Sequence, residues 1–183
     1  MRRKEQHEIL DEYLVLRGQG GDREAMRSLV DLLHPRLVAH AWNLTGDRNA
    51  ADDVVQEAWL AIVRGLRRLR DPARFRSWAL KIVTFKCRDW IRRAQSGRRL
   101  EEGLARDAEL QSQSVDGPQT DGSVARLRQA IAILPPEQKA LLSMFYLEEM
   151  TVREVADVLA IPAGTVKSRL FHAREKLRRL LED

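Results

Sequence analysis

At 183 residues, with 32 Lys or Arg against 27 Asp or Glu, the chain is long enough for two small domains and carries a formal net charge of +5. The pI near 9.8 leans toward an anionic partner, while a single cysteine, Cys87, with no partner thiol and no ligand cluster beside it, excludes a disulfide or zinc framework within the chain. The charged start MRRKEQHEIL lacks the apolar stretch of a signal peptide and no run approaches a membrane span, so a soluble cytoplasmic protein is expected.

Apolar residues recur at spacings of three and four, and alternating strand patterns are missing. The expected fold is all-α: two small helical domains joined by a flexible linker, the C-terminal one a helix-turn-helix. Residues 1–21 read as an N-terminal extension and the start of a first helix. Asp22 can cap a helix with the inner stripe Met26, Leu29, Leu33, Leu37, Ala41 and Leu44, in which Pro35 forces a kink or break and Gly46 ends the run. Asn49 can cap the next helix, whose stripe is Val55, Ala58, Ile62, Leu66 and Leu69. After RDP, a third helical stretch from about Arg74 to Arg93 turns Ala79, Ile82, Val83, Cys87 and Trp90 inward. These elements form a first domain over 22–95.

The pattern lapses over 96–122, where four glycines, a proline and six acidic against three basic residues read as a linker. Periodicity resumes with Val124, Leu127, Ile131 and Leu134, stops at the double proline, and returns through Ala140, Leu141, Met144 and Phe145, opening a second domain over 123–183. Thr151 with Glu154 makes a capping-box pattern before a short helix striped by Val152, Val155, Ala156 and Leu159. AIPAG breaks it, and a longer helix follows with Val166, Leu170, Ala173, Leu177 and Leu180 inward. A short capped helix, a tight turn and a longer second helix are the outline of a helix-turn-helix.

On the second of those helices Ser168, Phe171 and His172 point away from the stripe, with Lys167 and Arg174 on its flanks. A solvated cationic surface is one reading. An outward Phe favours base reading, because Phe can meet a thymine methyl, His and Lys can donate to guanine, and Ser can serve several base edges.

The stretch LPPEQKALLSMFYLEEMTVREVADVLAIPAGTVKSRLFHAREKL, above all GTVKSRL followed by AREKL, resembles the promoter-binding C-terminal domain of bacterial sigma factors of the extracytoplasmic-function type. The stretch from Asp22 to Arg93 is similar to the N-terminal domain of the same family. The resemblance implies a subunit without catalysis or cofactor that binds core RNA polymerase, reads two elements of double-stranded promoter DNA and helps melt it to single strands. It adds an anti-sigma protein to the expected partners and no membrane.

ADDVVQEAWL matches the family's polymerase-binding helix; Asp52 with Gln56, and Asp53 with Glu57, are i,i+4 pairs off the apolar stripe and suit a basic partner. Acids in a helix's first turn also favour its dipole, which accounts for Asp52 and Asp53 but not for Gln56 and Glu57. RDPARFRSWALKIVTFKCRDWIRR matches the element that reads and melts the downstream box. There Arg74, Arg76, Lys81, Arg88 and Arg92 supply cations and Phe75, Trp78 and Phe85 supply rings, with Phe75 and Trp90 assigned to packing and Trp78 open between the two roles. Phe85, where relatives often carry Asn, and His172, where many carry Arg, depart from the family pattern and leave base preference open. The acidic linker reads either as a nucleic-acid mimic in the polymerase's RNA exit path or as a solvated tether.

A free-standing helix-turn-helix regulator would account for the second domain and leave the first unexplained. An enzyme has less support: the four histidines are scattered, no HExxH, GxSxG or Walker motif occurs, and GQGGD reads as a turn before the Asp22 cap.

Overall fold

The computed structural model describes the backbone of residues 2–101 and 122–182, and side chains over 9–96 and 126–182. Among the described residues every regular element is helical, and the chain divides into two compact units, one ending at Trp90 and one beginning at Ile91. The first contains α1 (Arg2–Gln19), α2 (Arg23–Thr45), α3 (Arg48–Leu66), a 3-10 turn (Pro72–Arg74) and most of α4 (Phe75–Glu101). The second contains α5 (Gly122–Ala132), α6 (Pro136–Leu142), a π-turn (Ser143–Leu147), α7 (Val152–Leu159) and α8 (Ala163–Glu182).

In the first unit the stripes read from sequence meet as a core: Leu29, Leu33, Leu37 and Ala41 of α2, Val55, Ala58, Ile62 and Leu66 of α3, and Phe75, Ala79, Val83 and Cys87 of α4 are all buried. Four local features differ from expectation. Asp47, not Asn49, caps α3, its carboxylate accepting from the Ala50 amide at 3.0 Å, three residues on. α2 runs unbroken through Pro35, which, like Asp31 four residues before it, lies on the exposed face of the helix. The segment before Asp22 is a helix belonging to the core. Val15 is fully buried, Gln19 Nε2 donates to the Leu66 and Leu69 carbonyls at 2.9 and 2.8 Å, and Asp11 pairs with Arg76. Finally, α4 continues past Ser96, the expected start of the linker, to Glu101; the rest of that segment, residues 102–121, lies outside the described residues.

Two buried polar groups set how α4 sits on α2. His40 Nε2 lies 2.8 Å from Thr84 Oγ1, and that hydroxyl donates its only proton to the Leu80 carbonyl at 2.8 Å. The imidazole is therefore the donor in the pair and carries its proton on Nε2, while Nδ1 is buried without a partner. A second proton would have no acceptor among the described residues, and burial lowers the His40 pKa to about 4. Burial likewise pushes the Cys87 thiol up to about 12, which makes it a packing group and not a nucleophile.

The second unit closes on Ala130, Leu134, Ala140, Leu141, Met144, Val155, Leu159, Val166, Leu170 and Ala173. The capping box at Thr151 is present in both directions: the Glu154 amide donates to Thr151 Oγ1 at 3.3 Å, and the Thr151 amide donates to Glu154 Oε2 at 2.7 Å. Such a cap stabilises a helix by about 1 kcal/mol, a large share of what an eight-residue helix needs.

The buried imidazole makes stability depend on pH. Between pH 6.5 and about 4 the unfolded chain binds a proton at residue 40 that the folded chain does not, so folding weakens as pH falls through that window. The full loss is about 3 kcal/mol, because each tenfold difference in proton affinity between the folded and unfolded chains is worth about 1.4 kcal/mol. Urea unfolding at a series of pH values should show a steeper decline for the native chain than for His40→Leu; parallel curves would contradict the buried neutral imidazole.

Candidate nucleic-acid interface

With Phe75, Ala79, Val83 and Cys87 turned inward, the opposite face of α4 is fixed. Arg74 of the 3-10 turn and Trp78, Lys81, Phe85, Arg88 and Arg92 of α4 recur at spacings of four or three and form one outward stripe. Lys81, Arg88 and Arg92 are exposed, and Phe85 keeps 69% of its surface in water. Phe75 is fully buried, as assigned to packing. Trp78 takes both roles at once: half-buried, its ring lies against Phe75 and over Gly65 of α3, where an added Cβ would stand 2.8 Å from Trp78 Cζ2. Arg76 departs from the other cations. It sits on the inner side of α4, paired with Asp11 of α1 and mostly covered, so its charge serves the packing of α1.

On α3, Asp53, Gln56 and Glu57 are exposed and Asp52 is half-exposed. Glu57 Oε2 meets Lys86 Nζ of α4 at 2.9 Å, with both side chains partly in water. Leu60 and Val63 continue the same face and stay 59% and 51% exposed. These two lie off the stripe read from sequence; the signal available was that α3 has more apolar positions than one buried stripe can absorb.

In the second unit α8 projects the five residues read from sequence. Lys167, Ser168, Phe171, His172 and Arg174 are all exposed, Phe171 at 60%, and the Phe171 and His172 rings meet edge to face at 5.6 Å. Ser168 Oγ donates to the Thr165 carbonyl at 3.0 Å and so offers acceptor lone pairs outward. Arg169, pointing between these residues and the core, ties α8 to α6 through Glu137 at 2.9 Å. Arg174 lies over the rings of Phe145 and Tyr146. The turn that sets α8 against α7 passes through Ala160 at φ 50° and ψ 47°, a left-handed residue whose amide, with that of Ile161, returns to the Ala156 carbonyl.

The two faces thus occupy two separate helical units, and each half matches a known family. Residues 29–97 match the Sigma-70 region 2 model and residues 125–177 the Sigma-70 region 4 model. The ECF RNA polymerase sigma-E factor of Haemophilus influenzae is 30% identical over 181 residues, spanning 93% of this chain and 94% of that protein. The chain belongs to the ECF sigma factors. It directs RNA polymerase to promoters, as this family of transcription initiation factors does. SigM of Mycobacterium tuberculosis (31% identity, 96% of this chain, 86% of that one) and SigW of Bacillus subtilis (27%, 89% and 92%) are further ECF relatives. Among solved structures, CnrH in complex with the cytosolic domain of CnrY superposes with a TM-score of 0.62 at 27% identity over 94% of this chain and 97% of that one. Bartonella quintana RpoE, solved with the anti-sigma factor NepR, has a TM-score of 0.70 over 86% and 96% of the two chains at 18% identity, a likeness of fold. No helix among the described residues is long and apolar enough to cross a membrane.

The left-handed Ala160 yields a stability test. An L-residue in this region costs roughly 1 kcal/mol that glycine avoids, partly offset by glycine's freer unfolded chain. Ala160 is exposed, so no packing is lost with its methyl. Ala160→Gly should stabilise the second unit by about 0.5 kcal/mol and Ala160→Val should destabilise it by about 1 kcal/mol or more, read by chemical denaturation. The reverse order would mean the turn relaxes to another conformation.

Proposed function

We propose that the sigma function of this chain is divided among three surfaces. The α3 face of Asp52, Asp53, Gln56 and Glu57, extended by Leu60 and Val63, engages core RNA polymerase. The α4 stripe of Arg74, Trp78, Lys81, Phe85, Arg88 and Arg92 acts on the downstream promoter box and its melted strand, with Arg76 holding that helix to α1. The α8 face of Lys167, Ser168, Phe171 and His172 reads the upstream box in the major groove, and Arg174 meets phosphate. The observation that carries this reading is that each unit leaves a phenyl ring in water among cations, Phe85 in one and Phe171 in the other. A ring kept in water has an unfavourable hydration that a base or a thymine methyl relieves.

The chain works in the cytoplasm by binding, without catalysis of its own. A regulatory protein partner of the anti-sigma type is part of the proposal, supported by the relative CnrH, solved with the cytosolic domain of CnrY.

Two substitutions separate the surfaces. Asp53→Lys with Glu57→Lys should reduce pull-down of core polymerase at least tenfold, the ~1.4 kcal/mol or more expected from turning two attractive contacts repulsive, while the helical circular dichroism signal stays intact. Undiminished pull-down would remove α3 from the polymerase interface.

His172→Arg should leave core binding unchanged and move the upstream preference toward guanine in a randomised-promoter selection with the assembled holoenzyme. The discrimination gained is about 1–3 kcal/mol at one base, because Arg donates twice to guanine where His donates once. An identical selected sequence for His172, His172→Arg and His172→Ala would take that position out of base reading.

A further inference from the structure

Arg174 differs from the other outward residues of α8 in being held from another element. Its guanidinium carbon lies 5.8 Å from the ring centroids of both Phe145 and Tyr146, and those rings meet edge to face at 5.0 Å. Both rings lie in the π-turn of Ser143–Leu147, closed by the Glu148 amide donating to the Ser143 carbonyl at 3.1 Å. The turn buries Met144 in the core but leaves Tyr146 53% and Leu147 74% exposed. Such π-turns are rare and cluster at working sites.

A cation–π contact requires no hydrogen-bond acceptor, so guanidinium N–H donors remain for phosphate oxygens. A long side chain held before binding also loses less rotamer freedom when it binds. We propose that Phe145 and Tyr146 are positioning residues, which hold Arg174 in the orientation in which it contacts a DNA phosphate beside the upstream box. This rests on reading α8 as the upstream-box helix, and deepens that reading by placing the support of one DNA contact outside the helix-turn-helix itself.

The test is a double-mutant cycle on the full chain assembled with core polymerase. The probe is the promoter duplex recovered from the randomised selection, and affinity is measured at several salt concentrations. Arg174→Ala should weaken binding to all sequences alike and make the log-affinity against log-salt line shallower by about 0.9, one phosphate contact's worth. Tyr146→Ala should weaken binding ~2- to 5-fold, the range expected for an exposed cation–π contact, and should cost nothing further in the Arg174→Ala background. Tyr146→Phe keeps the ring face and should bind as the native chain does, whereas Tyr146→Leu, which fills similar space without that face, should behave as Tyr146→Ala. Base preference at the His172 position should be unchanged throughout. The proposal is overturned if Tyr146→Ala costs as much without Arg174 as with it, or if Tyr146→Leu binds like the native chain. If those aromatic substitutions are silent while His172 still sets base preference, only the aromatic support falls. If Arg174→Ala and the His172 variants are silent as well, the reading of α8 falls with it.

Discussion

The rotational setting of α4 is the constraint on which the first unit's functional surface depends. A helix has one face to bury, and here that face is chosen twice. Apolar packing places Phe75, Ala79, Val83 and Cys87 in the core. The hydrogen bond from His40 to Thr84 then favours one angle, since a turn of the helix by one residue would take the acceptor away from the buried imidazole N–H. Apolar contacts alone tolerate sliding at low cost; buried polar contacts do not. With that angle set, Lys81, Phe85, Arg88 and Arg92 come to the exposed side of the helix. The Arg76–Asp11 pair extends the constraint to α1.

The second unit reaches a comparable rigidity with little material. An eight-residue α7 is too short to persist alone, so its ends are held: the capping box at Thr151 and Glu154 at one, and the two amides returning to Ala156 at the other. α8 is held at a distance from that turn as well, by Arg169 to Glu137 of α6 and by Arg174 to the aromatic π-turn. The outward positions on α8 are thus fixed from three directions.

Periodicity made the helices, both cores and the outer faces of α4 and α8 legible, because burial of one stripe determines what the opposite stripe does. It reached less far where a choice depended on geometry between elements. Asp47 and Asn49 are both good capping residues, and only the extended backbone at Asp47 decides between them. Pro35 reads as a breaker until its exposed position shows that the missing hydrogen bond falls on the water side. Arg76 has the same chemistry as Arg74, but two residues further along it points to the other side of the helix, where Asp11, 65 positions away in sequence, receives it. Leu60 and Val63 lie off the stripe read for α3, and spacing alone does not say whether a second apolar face is covered. The approach of Phe145 and Tyr146 to Arg174 had no sequence signal, because a π-turn is not written in spacing.

The charge of the chain gains meaning only when it is resolved by face. A net +5 is a weak reason to bind DNA. Within the first unit, however, the acids of α3 and the cations of α4 are sorted onto neighbouring helices, and Glu57 with Lys86 marks the seam where they meet. An ion pair that is mostly in water contributes about 0–1 kcal/mol, so this seam does little to hold the helices together. Its consequence is electrostatic: charges of opposite sign lie on adjacent helices, each felt within roughly a Debye length of 8–10 Å at physiological salt. A basic protein surface and a DNA backbone can therefore be received by adjacent helices of one small domain without competing for the same ground. On the proposed reading of α3 and α4, that separation, more than the total charge, is what would let one chain engage a polymerase and a promoter together.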